Sequence, residues 1–391
     1  MKTIPLCTIG STGDVNPYIG IGKELQRRGF RVVLITSQYF ESQARNVGLE
    51  FIGLGSAEDY QRIIQNPDLW SPDLGFKVFA GSVILPILEP AYDAIASFDL
   101  AETVLVAQGQ FFSAHIAHEK LGYLFITAHL HPAAFRSVHE FPLLPAWMPG
   151  LGKRGIFSLM DALVLDKVFA PGVNRFRQSL GLPPVKKIFD RWAHSPQLNS
   201  GLFPEWYAPP QPDWSPNTLL TGFVFYDQRG KSQSISPDVQ SVLEEESAPI
   251  IFIPGMAMRH GEQFFADCIE ACQRLGRRGI LLTQHPEQLP ASLPEGIRHF
   301  KYLPFSQVFP HVAALVHHGG IGTTAQAIAA GIPQVIRPMA HDQPDNAARV
   351  ANLGIGATLD PKKFLILADF VVAFKTTYLV AKSRLLKVIF P

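Results

Sequence analysis

Two stretches of this sequence place chemically capable residues close together. The first is HHGGIGTTAQAIAAG at 317–331. It follows the strand-like run AALVH, so Gly319, Gly320 and Gly322 form a loop that leads into a helix of roughly 324–330. Such a loop lets backbone N–H groups approach a ligand, and the helix N-terminus adds partial positive charge. Thr323 and Thr324 supply hydroxyls, and His317 or His318 an imidazole edge. Together they make a socket for a diphosphate; without a ligand the same residues are a glycine-rich strand-to-helix turn. The residues that follow, HDQPDN at 341–346, favour the socket. Asp342, Gln343 and Asn346 come after a strand and the break Pro338-Met339-Ala340. A carboxylate beside an amide at a strand's C-terminal end grips vicinal hydroxyls, since Asp accepts and Gln does both. The competing reading has Asp342 capping the next helix with Asn346 inside it.

The second stretch is GSTGDV at 10–15, directly after the first strand. Its glycines do not have the GxGxxG spacing of dinucleotide folds. Gly10 and Gly13 open the backbone, and Asp14 precedes a helix beginning near Asn16. An Asp there serves as a cap or a dipole partner; facing a ligand, it can also act as a general base. Three absences narrow the chemistry. No Asp-x-Asp motif is present to hold a nucleotide sugar through a metal, so no metal and no cofactor are expected. There is no GxxxxGK[ST] phosphate loop and no GxSxG elbow. His115 and His118 read as helix residues of the first domain, without a third ligand nearby.

The elements that must position these groups alternate along all 391 residues, too many for one ordinary core. Strand candidates are 3–9, 31–36, 49–53, 103–107 and 123–127, then 249–253, 279–283, 297–301, 313–317 and 333–337. Helical patterns lie between them, which indicates parallel βαβ units. In the first helix Asn16 is the expected cap, Pro17 the first helical position and Gly29 the end, with Tyr18, Ile21 and Leu25 on one face. The Pro- and aromatic-rich stretch PEWYAPPQPDWSPN at 204–217 reads as a stiff connection. The expectation is α/β with two doubly wound Rossmann-like domains, 1–228 and 229–391, facing each other across a cleft.

Lys+Arg and Asp+Glu nearly balance, at 34 and 33, which argues against a nucleic-acid partner. Only 17% of residues are charged and 47% are hydrophobic, so surplus apolar surface is expected in a binding cleft or against a membrane. No run approaches the roughly 20 apolar residues of a membrane span; LILADFVVAF at 365–374 comes nearest. The N-terminus lacks the zones of a signal peptide, and Cys7, Cys268 and Cys272 have no CxxC spacing. A cytoplasmic protein is expected, with Cys268 and Cys272 packed as small apolar residues on the inner face of a helix. The segment 141–183 mixes Trp147, Met148, Phe157, Leu159, Met160, Leu163 and Leu165 with Lys153, Arg154 and Lys167. It reads as a helical excursion over the first sheet, or as a lining for an apolar acceptor whose basic flank contacts the inner face of the membrane peripherally.

HHGGIGTT and HDQPDN resemble the donor signature of family-1 (UDP-glycosyltransferase-like) glycosyltransferases of the two-domain GT-B fold. GSTGDVNPYIG resembles the N-terminal loop of that family's sterol- and antibiotic-glycosylating branches. NPDLWSP (66–72), IAHEKLG (116–122), VKKIFDRWAHSPQ (185–197) and LFPEWYAPPQPDW (202–214) are similar to the catalytic rhamnosyltransferase subunits of rhamnolipid synthesis. The resemblance covers residues 1 to about 360. It implies inverting transfer of a hexose or deoxyhexose from a UDP- or dTDP-sugar to a hydroxyl of a lipophilic acceptor. Asp14 would be the base, and Gly13 with the glycine loop and its helix would meet the donor diphosphate without metal. Asp342 and Gln343 would hold the sugar. The nucleobase would lie near 302–307, at Phe305 and Ser306, with Thr283 and Gln284 close by.

Two departures from the family pattern stand out. Pro254-Gly255-Met256 replaces a Gly-Ser or Gly-Ser-Thr, removing a hydroxyl, and the sequence after Pro361 is short for the family's closing helices. They leave two other functions in play: a nucleotide-sugar-binding partner subunit without turnover, and a GT-B sugar epimerase that needs no acceptor.

Overall fold

The computed structural model describes residues 2–71, 74–227 and 235–359. The chain divides between Val224 and Phe225 into two compact units, each with its own sheet. The expected tail helices and LILADFVVAF lie outside the described residues.

The first unit is built on seven parallel strands in the order β3-β2-β1-β4-β5-β6-β7. They are β1 (Thr3–Cys7), β2 (Arg31–Ser37), β3 (Glu50–Leu54), β4 (Val104–Ala107), β5 (Leu124–His129), β6 (Leu198–Gly201) and β7 (Thr218–Leu220). The first five match the apolar runs read from sequence. The last two carry little apolar signal: LNSG and TLL are short, and Asn199 is buried through hydrogen bonds to Ser195 rather than apolar packing. The Pro-rich stretch 204–217 is no free connection. It precedes β7, buries Tyr207 and Ala208, and presents Asp213 to the Ser137 hydroxyl at 2.6 Å.

The first helix, Thr12–Arg27, has Ser11 as its cap, five residues before the expected Asn16. Ser11 and Asp14 form a reciprocal capping box, which satisfies two amide donors and fixes the start there. Asn16 and Pro17 therefore lie inside the helix. Its buried face is Val15, Tyr18, Ile19 and Gly22, while Ile21 and Leu25 are only half-buried. Gly29, at φ +86°, follows its end as expected.

A continuous helix over Gly75–Ala96 has the length and mean hydropathy of a membrane span, contrary to the expectation that none exists. Ala80, Ile84, Leu88, Ala91, Tyr92 and Ile95 recur at helical spacing and pack into the first unit's core. A half-apolar helix over a doubly wound sheet has this pattern. The excursion Gly150–Ser179 does cover that core, burying Phe157, Leu165, Phe169 and Val173. Its other side leaves Leu151 82%, Leu159 59% and Leu163 60% exposed, and Trp147, just before the helix, is 79% exposed.

Among the described residues the second unit has six parallel strands in the order β10-β9-β8-β11-β12-β13. They are β8 (Ile250–Ile253), β9 (Gly279–Leu282), β10 (Ile297–Phe300), β11 (Ala314–His317), β12 (Gln334–Ile336) and β13 (Gly356–Thr358). Only β13 escaped the sequence reading. Clusters led by Phe252 and Val316 on one face and by Ile251 and Leu315 on the other make the central strands apolar throughout. Cys268 and Cys272 are buried on the inner side of the helix Glu262–Leu275, with burial pushing both thiols up, Cys272 to about 12.

Candidate functional site

In an open parallel sheet, ligands bind at the C-terminal strand ends where the chain order reverses. That reversal falls between β1 and β4 in the first unit and between β8 and β11 in the second. Asp14 follows β1 at the first of these points and the glycine loop follows β11 at the second, while Thr283 follows β9 and Asp342 and Gln343 follow β12.

In the second unit the β11 strand continues through His318 N–H to the Ile253 carbonyl at 3.2 Å, and the glycine loop then turns away. Gly319 takes φ +93°, and a Cβ there would stand 2.7 Å from Ile336 Cγ2, so only glycine fits. The helix it leads into, Ile321–Ala329, has Gly320 as its N-cap and no side-chain cap. Its first amides are the ones that lack intrahelical partners. At Gly322 an added Cβ would meet nothing within 4 Å, leaving room for a ligand over the first turn.

The His318 ring lies between two glycines of neighbouring loops. A Cβ at Gly320 would come within 2.5 Å of its Nε2, and one at Gly255 within 3.4 Å of its Cδ2. Gly255 takes φ +111°. The motif departure Pro254-Gly255-Met256 thus brings bare backbone against the imidazole. Burial lowers the His318 pKa, and the Asp342 carboxylate opposes that shift.

His317 does not face a ligand as expected. It is fully buried; Nδ1 accepts from Gly319 N–H at 3.1 Å, and Nε2–H donates to Gln334 Oε1 at 3.0 Å. The Gly319 amide can only donate, so it fixes the tautomer. Burial drives the His317 pKa down to about 3, which keeps the ring neutral. Thr324 is also taken: its buried hydroxyl donates to the Gly320 carbonyl at 3.0 Å. Thr323 stays half-exposed in the first turn.

Asp342 precedes the helix Gln343–Asn352 but caps nothing with its side chain. Asn346, fully buried, donates through Nδ2 to Asp342 Oδ2 at 2.7 Å and to the Gly319 carbonyl at 2.9 Å. One amide thus couples the carboxylate to the glycine loop. Gln343 is not a free sugar ligand at its carbonyl, because Oε1 accepts from Met339 N–H at 2.8 Å and Ala340 N–H at 3.1 Å. It pins the break before the helix. His341 sits there at φ +60°, a left-handed conformation that costs a residue of its type about 1 kcal/mol or more.

The expected nucleobase residues lie beyond the neighbouring strands β9 and β10, where Thr283 N–H donates to the Phe300 carbonyl at 3.2 Å. Thr283, at the end of β9, is buried, and its hydroxyl accepts from His285 N–H at 3.0 Å. Ser306 donates its hydroxyl to Asp227 Oδ2 at 2.7 Å. Phe305 is half-buried and stacks on Phe309 with centroids 4.4 Å apart.

In the first unit Gly10, at φ +123°, lets the chain fold so that Asp14 lies over the loop. A Cβ at Gly10 would sit 2.3 Å from Asp14 Oδ2. That oxygen accepts from Ser11 N–H at 2.8 Å and the Ser11 hydroxyl at 3.1 Å. Gly13 is exposed, with its N–H donating to Ser11 Oγ at 3.3 Å. On the other side, Gln108 Nε2 reaches Asp14 Oδ1 at 3.4 Å. Ser11 and Gln108 escaped the sequence reading. A Ser three residues before Asp is a capping-box spacing, and Gln108 ends the apolar run that pairs with β1; those were the available signals.

Comparison with known proteins follows the same division. The glycosyltransferase family 28 N-terminal domain matches residues 4–140, and the erythromycin biosynthesis protein CIII-like C-terminal domain matches residues 278–369. An O-mycaminosyltylonolide 6-deoxyallosyltransferase from Streptomyces fradiae is 28% identical over 90% of this chain and 84% of its own length. A sterol 3-beta-glucosyltransferase from Saccharomyces cerevisiae is 26% identical over 97% of this chain, which spans only 33% of that relative. Among solved structures, the glycotransferase of kitacinnamycin superposes with a TM-score of 0.74 at 18% identity, covering 99% of this chain and 94% of its own. SsfS6 from Streptomyces sp. SF2575, complexed with thymidine diphosphate, gives 0.63 at 17% identity, covering 99% and 96%. At those identities the superpositions show the fold.

Proposed function

The chain belongs to the GT-B glycosyltransferases, and from that premise we propose that it transfers a hexose or deoxyhexose, with inversion and without metal, from a UDP- or dTDP-sugar to a hydroxyl of a lipophilic small molecule. The observation that carries the donor half is the uncapped helix Ile321–Ala329, which opens between Gly320 and Gly322 beside the Asn346-held Asp342. Its amides stabilise the charge that develops on the leaving diphosphate. Asp342 accepts from sugar hydroxyls. Asp14 takes the acceptor's hydroxyl proton as the acceptor oxygen bonds to the anomeric carbon and the bond from that carbon to the diphosphate oxygen breaks.

Metal independence rests on the lack of an Asp-x-Asp motif in the sequence. Thymidine diphosphate bound to SsfS6, and the deoxysugar and sterol named for the two relatives, support the donor and acceptor classes. For the acceptor's apolarity we add the exposed row Trp147, Leu151, Leu159 and Leu163, flanked by exposed Arg154 and Lys167. In a cytoplasmic enzyme this row suits peripheral contact with the inner membrane face.

The test is product formation. The protein is incubated with UDP-glucose or dTDP-rhamnose and with hydroxy fatty acids or sterols, and products are read by mass spectrometry. Asp14→Asn should lower transfer by about 10²–10⁴-fold, while the thermal shift given by UDP or dTDP persists. Retained turnover in Asp14→Asn would remove the base from the scheme.

A further inference from the structure

We propose that Gln108 is the positioning residue that holds the Asp14 carboxylate in place for proton abstraction; the inference rests on the reading of Asp14 as the base. Gln108 follows β4, the strand that pairs with β1 at the reversal point of the first sheet. Its own N–H donates to the Cys7 carbonyl at 2.9 Å, which carries the β1–β4 pairing one residue further and places its side chain beside the loop 9–14.

The direction of the side-chain amide is determined by its partners. Oε1 accepts from Ile9 N–H at 3.1 Å and from the Thr8 hydroxyl at 3.1 Å. Ile9 N–H can only donate, so the reversed amide would set an NH2 group against it. Nε2 must therefore point the other way, toward Asp14 Oδ1 at 3.4 Å. Gln108 is 6% exposed, so the arrangement is not that of a loose surface amide.

The carboxylate is thereby held from both sides: Ser11 on Oδ2 and Gln108 on Oδ1. Ser11 belongs to the same helix start and would move with Asp14. Gln108 comes from another strand and ties the carboxylate to the sheet. Tyr18, one turn along the same helix, adds a second tie by donating its hydroxyl to the Ala128 carbonyl at 2.7 Å. A base must keep one lone pair on the acceptor hydroxyl, and small misplacements at this step cost large factors in rate. A neutral amide orients the base without competing for its proton. Glutamate, with the same length, would hold the Ile9 and Thr8 donors equally well but set a second carboxylate against the first.

The experiment uses the full chain with the donor–acceptor pair that gives most product in the screen above. Gln108→Glu should raise the acidic limb of the kcat/KM–pH profile by one pH unit or more, since two adjacent carboxylates share a proton. Gln108→Met, which removes both the Nε2 donor and the Oε1 acceptor but keeps an unbranched chain, should lower kcat at least tenfold and leave the donor KM within twofold. In both variants the UDP- or dTDP-induced thermal shift reports folding of the donor half. An unmoved acidic limb in Gln108→Glu, or an undiminished kcat in Gln108→Met, overturns the positioning role. Asp14→Asn run alongside separates the two failures. If it is inactive while the Gln108 variants behave as wild type, only the positioning is wrong; if it remains active, the base assignment fails and the inference with it.

Discussion

Replacing Asn346 by leucine probes the link between the glycine loop and Asp342. Leucine has asparagine's γ-branched shape and the same number of side-chain heavy atoms, so the site stays filled while both donors vanish. The Gly319 carbonyl and Asp342 Oδ2 lose partners now at 2.9 and 2.7 Å. An unsatisfied buried polar group costs about 1–3 kcal/mol, with charged acceptors at the upper end. Asp342 is half-buried and recovers part of its loss from water, so about 2–4 kcal/mol in total is expected. For a unit of this size each kcal/mol lowers the melting midpoint by about 2–4 °C. Calorimetry should thus place the second unit's transition roughly 5–15 °C lower.

Binding should respond unevenly. A hydrogen bond to a charged group is worth about 1.5–3 kcal/mol, so a misplaced Asp342 raises the nucleotide-sugar Kd at least about tenfold. The nucleoside diphosphate, which the proposed scheme places on backbone amides of the helix Ile321–Ala329, should lose less. Isothermal titration of the variant with UDP-glucose and UDP, or dTDP-rhamnose and dTDP, reads both. Equal losses for sugar and diphosphate, or none for either, would refute the assignment of Asp342 to the sugar.

Two further outcomes test the scaffold. Gly10→Ala places a Cβ 2.3 Å from Asp14 Oδ2 at a φ of +123°, so it should depress kcat by at least tenfold with the nucleotide thermal shift intact; a variant of wild-type kcat would show that the loop does not set the carboxylate. His317 and His115 are driven by burial to about 3 and His194 to about 4, all below the unfolded value near 6.5. The unfolded chain then binds more protons below pH 6.5, so stability is fully present above that pH and falls as pH drops toward 3–4. Guanidinium midpoints should decrease steadily from pH 7 to pH 4.5, and equal midpoints would contradict neutral buried imidazoles.

What could be read in the sequence follows from what local residues control. β1, β2, β8, β9 and β11 are apolar runs with both faces covered, so they stand out; β6, β7 and β13 are short, marginal strands that only the neighbouring strand defines. The glycine loop and the Asp342 turn were legible because glycine content and residue order mark them. The roles of single side chains were not. His317 and Thr324 are the right residue types for a diphosphate, yet one turns inward to Gln334 and the other back to Gly320. Pairings at long sequence separation, such as Gln108 with Asp14, leave no local pattern at all.

The two reversal points use the same strand-loop-helix start in opposite ways, and the difference is in keeping with the proposed division of substrates. In the first unit the start of the helix is filled by its own chain: Ser11 caps it and Asp14 brings a carboxylate into its first turn. A diphosphate arriving there would meet like charge and amides already satisfied. In the second unit the equivalent helix starts on Gly320 with no side-chain cap and no acidic residue in its first turn. The nearby carboxylate, Asp342, belongs to the next loop, where Asn346 holds it. Under the proposed scheme the anionic donor goes to the helix start whose amides stay open, and the protic acceptor to the one that Ser11 and Asp14 have closed.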